Sequence, residues 1–548
     1  MRHVFKFLLL VCFVSLANAE VRSYEELKNE PKSLAKDYYI HRLITETNYN
    51  KAEVKELSKD VFRRRGKLAT ELDKLFGKPV PYDRCKGVWT NNILDANLSC
   101  KIQRMNPSFI KNLSSDVRNR LITELAGTPD KVNLLKGFNT KNPAKYYADT
   151  FHVENFFSYY KSLSGTERNS KFNFALTPEF ASLLGNDKYF NTFITDAVIN
   201  RTNATLRKSL IDIDSSSFSE HGAFYLGINA IKWHKYSDSV KFFKRAVDTY
   251  KKQDDKDKAN LWIYLASNSE EALLKVATSS SINMYSIYAK ELTGLDKVFN
   301  IVNPKPTKEK VAGYDPQNPF HWVNLREKVK TLDSATLKEY ATKFDTKETP
   351  GEYIYISNIL SGYQDNFYPL AFMEHIGTDD IHRKALILAL ARQESRFVQS
   401  AISISYALGT MQFMPFVAND WAAKNKETFK NFDQDDVFNP KTAYTMANIH
   451  LDWLEKYLQS PIFVAYAYNG GIGFTKKLIT RGDLFANAEY SKFEPFLSME
   501  IVTYAESREY AKKVLSNYIV YSQILGREIS ISELLGDTLV PSRSDNYR

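Results

Sequence analysis

The chain has 548 residues, 43% of them hydrophobic and 25% charged, and a formal net charge of +10. That length exceeds what one hydrophobic core can serve and predicts about three domains, while the balance of apolar and charged residues excludes an intrinsically disordered chain. With only 21 Gly and 18 Pro against abundant Leu, Ala, Lys and Glu in runs of helical spacing, a mainly α architecture is expected, with strands a minor component.

Residues 1–19, MRHVFKFLLLVCFVSLANA, begin with basic Arg2 and Lys6, continue through an apolar run from Phe7 to Leu16 and end on small Ala17 and Ala19. This is the pattern of a secretory signal peptide cleaved after Ala19. The apolar run is too short to span a bilayer, and Val11 precedes Cys12 where a lipidation signal wants a small residue. A soluble exported protein, with no membrane segment in the mature chain, is expected. The signal carries two bases and no acid, which leaves +8 on the mature chain. Such an excess suits an anionic macromolecular partner; after export this is not nucleic acid but an anionic polymer of the cell envelope.

Cys85 and Cys100 are the cysteines that remain. An oxidising compartment favours their pairing, and two unpaired thiols are the alternative. Between them, Asp95-Ala96-Asn97-Leu98-Ser99 fits an N-glycosylation acceptor pattern with an acid two places earlier. Asn112, Asn200 and Asn203 fit only the shorter pattern.

From 20 to 295 the chain reads as a succession of helices joined by short polar connections, an α-superhelical scaffold of stacked hairpins. In its clearest stretch, an apolar helix around Tyr225 to Ile231 precedes one in which Val240, Phe243, Val247 and Tyr250 recur at helical spacing. Pro304, Pro306, Pro316 and Pro319 then oppose a continuous helix. Residues 296–366 are expected to form a small helical linker domain and 367–548 a third block.

In that block, IHRKALILALARQESRF is apolar on nearly every face between Ala385 and Ala391, so the helix is expected to be buried. Glu394 then stands where a core helix emerges, and desolvation there raises a carboxyl pKa. The alternative is an exposed helix-end glutamate paired with Arg392 or Arg396. No further acidic residue occurs until Asp420.

Four ordered elements in this block resemble the soluble lytic transglycosylases, exported bacterial enzymes that cleave peptidoglycan: ARQESRF, ALGTMQFMP, AYNGGIG at 467–473, and MEIVTYAESREYAKKVL at 499–515. The resemblance implies a superhelical domain, a small linker domain and a C-terminal lysozyme-like α-domain. It also implies Glu394 as the catalytic acid, with Ser403 near the reacting sugar, Gln412 and Met414 lining the glycan groove, Tyr468 near the acid, Asn469 its companion, and Glu500 a further groove carboxylate. Four positions depart from the family's pattern: Tyr406 stands where glycine is usual, Thr410 where leucine is common, Ile472 where proline is frequent, and Ala443 where asparagine is often found.

Ordinary glycosidases need two carboxyl groups. The implied mechanism needs one, because Glu394 acts first as acid and then as base while the substrate's own C6 hydroxyl closes a 1,6-anhydro ring. A hydrolytic muramidase, or a non-catalytic glycan-binding scaffold of the envelope, are the rival readings. No zinc motif, phosphate loop or dinucleotide fingerprint is present, so neither metal nor cofactor is expected. The expected protein is a periplasmic monomer acting on peptidoglycan glycan strands, with cell-wall synthesis proteins as candidate partners.

Overall fold

The computed structural model describes residues 21–486 and 488–548; the expected signal segment lies outside them. Among the described residues there are 31 α-helices and five 3-10 turns, and the β-structure consists of isolated bridges. The mainly α expectation holds. No helix among the described residues is long and apolar enough to cross a membrane.

The chain forms two compact units, each assembled from two separate stretches. One contains the described residues up to Pro79 together with Ile301–Trp453, the other Val80–Asn300 with Leu454–Arg548. These units cut across the three blocks expected from the sequence, since 21–79 groups with 301–453 rather than with the helical array that comes after it.

In the second unit, helices between Ser115 and Thr293 pack chiefly against their neighbours in sequence, as in a solenoid. Helix Glu220–Lys232 pairs with helix Tyr236–Thr249, and the approach is close because an ideal Cβ on Gly227 would lie 2.4 Å from the Phe243 ring. The buried stripe of the latter helix runs through Ser239, Phe242, Phe243 and Ala246. Val240 and Val247 flank it half-buried, so the stripe is rotated from the one that the apolar spacing suggested. Helix Met284–Thr293 packs on Ala505–Ile524 and Ile531–Asp537, which close this end of the array.

Cys85 and Cys100 are joined in a disulfide with Cα atoms 5.4 Å apart. Asn97, inside that loop, caps the helix Leu98–Arg104 by accepting from the Cys100 N–H at 2.9 Å and is exposed.

In the first unit, the proline-rich stretch after 300 is extended, with Pro319 at the first turn of helix Pro319–Val329. Val311, Leu325, Val329, Leu337, Ala341, Phe344 and Ile356 form a small core of their own. Tyr314, packed against this core, donates its hydroxyl to Glu352 Oε1 at 3.0 Å. Glu352 is 0% exposed, and its Oε2 has no partner among the described residues. Burial pushes its carboxyl up to about 7, and the Tyr314 bond offsets this only in part.

Candidate active site

Helix Ile381–Glu394 is capped by Asp380, whose carboxylate accepts from the N–H groups of His382 and Arg383 at 3.1 and 3.2 Å. Ala385 to Ala391 are each 0% exposed, so the expected core helix is present. At its last turn the environment changes. Arg392 donates to the Phe367 carbonyl at 2.8 Å and lies over the Tyr368 ring at 3.9 Å, and Glu394 is half-buried at the helix end.

Main-chain contacts hold the segment that leaves this helix. Ser395 Oγ donates to the Thr410 carbonyl at 2.8 Å. Arg396 and Phe397 take left-handed φ values of 54° and 68°, which reverse the chain, and Phe397 is 0% exposed. Helix Pro350–Leu360 seats its first turn on this reversal: an ideal Cβ on Gly351 would lie 2.5 Å from Val398 N and 2.7 Å from Phe397 C. Gln399 Nε2 donates to the Glu348 carbonyl at 2.6 Å, a second tie to the same segment.

Residues 401–413 then fold into a small β-like loop. Gly409 N–H donates to Ala401 O at 2.9 Å, and Leu408 and Phe413 exchange two N–H···O bonds of 2.9 and 3.0 Å. Gly409 is required: its φ is +77°, and a Cβ would lie 2.2 Å from Val437 O. Gln412, itself at φ +50°, directs its side-chain amide at the carbonyls of Ala401 (3.1 Å) and Gly409 (2.9 Å). It thus braces the loop whose surface it was expected to line. Ser403 Oγ accepts from Ala407 N–H at 2.9 Å. Met414, half-buried, opens helix Pro415–Lys424; Ile404 and Phe416 nearby in the chain are 64% and 66% exposed.

The remaining motif residues belong to the second unit. Tyr468 and Asn469 lie in the last turn of helix Pro461–Gly470. Asn469 Oδ1 accepts from Ser507 Oγ at 2.6 Å and its Nδ2 donates to Glu506 Oε1 at 3.3 Å, so the ESREY element of the fourth motif locks the YNGG element. Ser507 and Glu506 were not singled out from the sequence; their motif was visible, their contact was not.

Glu500 requires a correction. Expected on a groove surface, it is 1% exposed, and both oxygens are occupied: Oε1 accepts from Tyr285 at 2.6 Å and Oε2 pairs with Lys512 at 2.8 Å, itself 4% exposed. Desolvated opposite charges hold each other there. Beside them, burial works against the charge of Glu509, yet Lys512, Lys258 and Arg508 together hold its carboxyl below the usual carboxylate range. Among the described residues no group of three or more His, Cys, Asp or Glu is arranged to hold a metal ion.

Residues 374–490 match the family described as the transglycosylase SLT domain. That span is divided between the two units, which meet in sequence at Trp453 and Leu454. A putative soluble lytic murein transglycosylase of Haemophilus influenzae is 32% identical over 144 residues, 26% of this chain; the match spans only 22% of that relative's length. An inactive mutant of the lytic transglycosylase Slt from Pseudomonas aeruginosa shares the fold with a TM-score of 0.50 at 14% identity, over 90% of this chain and 79% of that one. The 70 kDa soluble lytic transglycosylase of Escherichia coli is similar over 90% of this chain and 92% of that one, at 14% identity and a TM-score of 0.49. Residues 374–490 therefore match the transglycosylase SLT domain, and the chain is similar over 144 residues to a putative soluble lytic murein transglycosylase.

Proposed function

We propose that this chain cleaves the β-1,4 bond between N-acetylmuramic acid and N-acetylglucosamine in peptidoglycan without consuming water, leaving 1,6-anhydromuramic ends. One observation carries the reading above all: within the SLT span a single carboxylate stands at the end of a buried helix, and no Asp or Glu comes after it from 395 to 419.

Glu394 donates its proton to the glycosidic oxygen as the bond to muramic acid C1 breaks. The neighbouring N-acetyl group shields the developing oxocarbenium centre, as in substrate-assisted glycosidases. The ionised Glu394 then takes the proton of the same sugar's C6 hydroxyl, and O6 bonds to C1. One proton leaves the carboxyl and one returns, so atoms balance with no water added. The attack is intramolecular, which supplies much of the entropic advantage. Ser403, Gln412 and Tyr468 hold the sugar's amide and hydroxyls, Met414 offers an apolar contact, and Asn469 fixes the turn that carries Tyr468. The helical array before 295 holds the glycan strand, and residues 1–19 direct the chain to the periplasm.

A hydrolytic muramidase needs a second carboxylate with room for a water. Glu500 is unsuited to that role, because Tyr285 and Lys512 already occupy both of its oxygens at 1% exposure.

Digestion of purified sacculi with the protein, read by mass spectrometry, tests the reading. Muropeptides one water lighter than reducing-end products are expected, and Glu394→Gln should lower their yield by ~10²- to 10⁴-fold, the share of a well-placed acid–base group. Products carrying only reducing muramic ends would establish hydrolysis instead. Full activity in Glu394→Gln would remove that carboxyl from the chemistry.

A further inference from the structure

Tyr406, which stands where the motif of the family usually has glycine, adopts φ +65°, the left-handed region that a residue with a Cβ occupies only at a cost. The turn needs that conformation. Tyr406 N–H donates to the Ser403 carbonyl at 3.0 Å, and Ser403 N–H donates to the Ala407 carbonyl at 3.0 Å. Ala407 N–H in turn reaches Ser403 Oγ at 2.9 Å. A tyrosine at this corner must be held there by something outside the turn.

The holder is the helix Leu34–Glu46, which belongs to the same compact unit. Tyr406 is 6% exposed; its ring meets Tyr38 edge-on with centroids 5.7 Å apart, and the His41 ring lies 5.6 Å away. That helix is fixed to the unit by a dense polar contact. Tyr38 and Tyr39 donate to the two oxygens of Asp435 at 2.6 and 2.8 Å. Arg42, 2% exposed, binds Asp433 through two bonds of 3.0 and 2.6 Å and reaches Asp435 at 2.9 Å. Gln434 donates to Glu46 at 3.0 Å. The buried guanidinium–carboxylate fork gives this contact a fixed geometry, so the ring of Tyr38 is a defined wall against which Tyr406 packs.

We propose that Tyr406 is a positioning residue that ties the Ser403 turn to helix Leu34–Glu46, making that helix part of the active-site support; the inference rests on the reading of Ser403 as a substrate contact. With glycine at 406 the turn could take this conformation without strain but would lose its tie to that helix and move more freely. With tyrosine it keeps its shape only while the brace is present, and the N-terminal stretch is thereby joined to the chemistry.

The test compares Tyr406→Gly, Tyr406→Phe, Tyr38→Leu and the double variant Tyr38→Leu/Tyr406→Gly in the full chain, each checked by circular dichroism. Two readouts are taken: amide hydrogen exchange at 405–407, and kcat/KM on sacculi as a function of pH. Tyr406→Gly and Tyr38→Leu should speed exchange at Ala407 without changing exchange in helix Ile381–Glu394. They should also lower kcat/KM by ~10- to 100-fold, the scale of a small misplacement of a binding group. The pH profile should keep its shape, because Glu394 is untouched. Tyr406→Phe should retain wild-type values, and the double variant should be no worse than its worse parent, the signature of coupled residues. Unchanged exchange at Ala407, or faster exchange with wild-type kcat/KM, would overturn the proposal. If the parent chain does not cleave murein, the reading of its function has failed, and the exchange data still decide whether the tether exists.

Discussion

Two stretches of the chain hold motif residues in opposite ways. From Ser395 to Met414 there is no acidic side chain, and the chain is braced by backbone and amide contacts: Ser395 to Thr410, Gln399 to Glu348, Gln412 to Ala401 and Gly409. From Glu500 to Lys512 the bracing is ionic: the buried pair Glu500–Lys512 is extended by Glu509, which reaches Lys512 at 3.3 Å and Arg508 at 3.8 Å. The contrast reflects what each stretch must permit. On the reading proposed above, the first stretch comes directly after a carboxyl that gives and regains a proton, whereas a purely supporting carboxyl is best held by a permanent counter-charge.

The largest effect should come from breaking the ionic stretch on one side. Lys512→Met leaves the buried Glu500 without its salt-bridge partner while Tyr285 still donates to one oxygen, and breaking a buried pair in this way costs about 3–5 kcal/mol; thermal unfolding should show a clear fall in Tm. Pairing it with Glu500→Gln should recover much of the loss, and an equal loss in both variants would mean that packing, not charge, is at stake.

Next in size is a test of the other unit through pH. Glu352 rises from the usual 4.5 to about 7 on folding, so the folded state binds more protons than the unfolded one across that window. Stability from this group is therefore greatest below pH ~4.5 and falls as pH rises towards 7, by about 3 kcal/mol. His450 acts in the reverse sense. Burial lowers it from 6.5 to about 4, so its contribution is present above 6.5 and lost as pH falls through 4. The two slopes oppose each other between about 4.5 and 6.5. Glu352→Gln should unmask a Tm that climbs through this interval, and a Tm profile unchanged by that substitution would contradict the burial assigned to the carboxyl.

The smallest effect concerns Tyr466, 0% exposed with a hydroxyl that meets no partner among the described residues. Tyr466→Phe removes an unsatisfied group, and Tm should stay level or rise by the equivalent of at most about 1 kcal/mol. A marked loss would point to a partner for that hydroxyl in the folded protein.

Much of the SLT span was legible because its signals are local. The apolar run Ala385–Ala391, the acid that ends its helix and the turn residues around Gly409 all declare themselves within a few residues of chain. The burial of Glu500 was not legible, since its partner Tyr285 lies 215 positions away and a glutamate in a recognised motif looks the same whether it faces a groove or a lysine. Tyr406 showed as a departure from pattern, but the ring that explains it, on Tyr38, belongs to the opposite end of the sequence. The grouping of 21–79 with 301–453 escaped for the same reason: helical periodicity reports which face is buried, never against what.

That grouping also governs how the protein can be made and cut. A fragment trimmed to 367–548 would keep every recognised motif yet leave behind helix Leu34–Glu46 and the seat of Gly351, and would take the segment after Leu454 from its companions in 80–300. During synthesis at ~5–20 residues per second, the apolar face of that first long helix waits on the order of tens of seconds for Trp453 to emerge. A chaperone that shields it in the interval should raise the yield of folded chain.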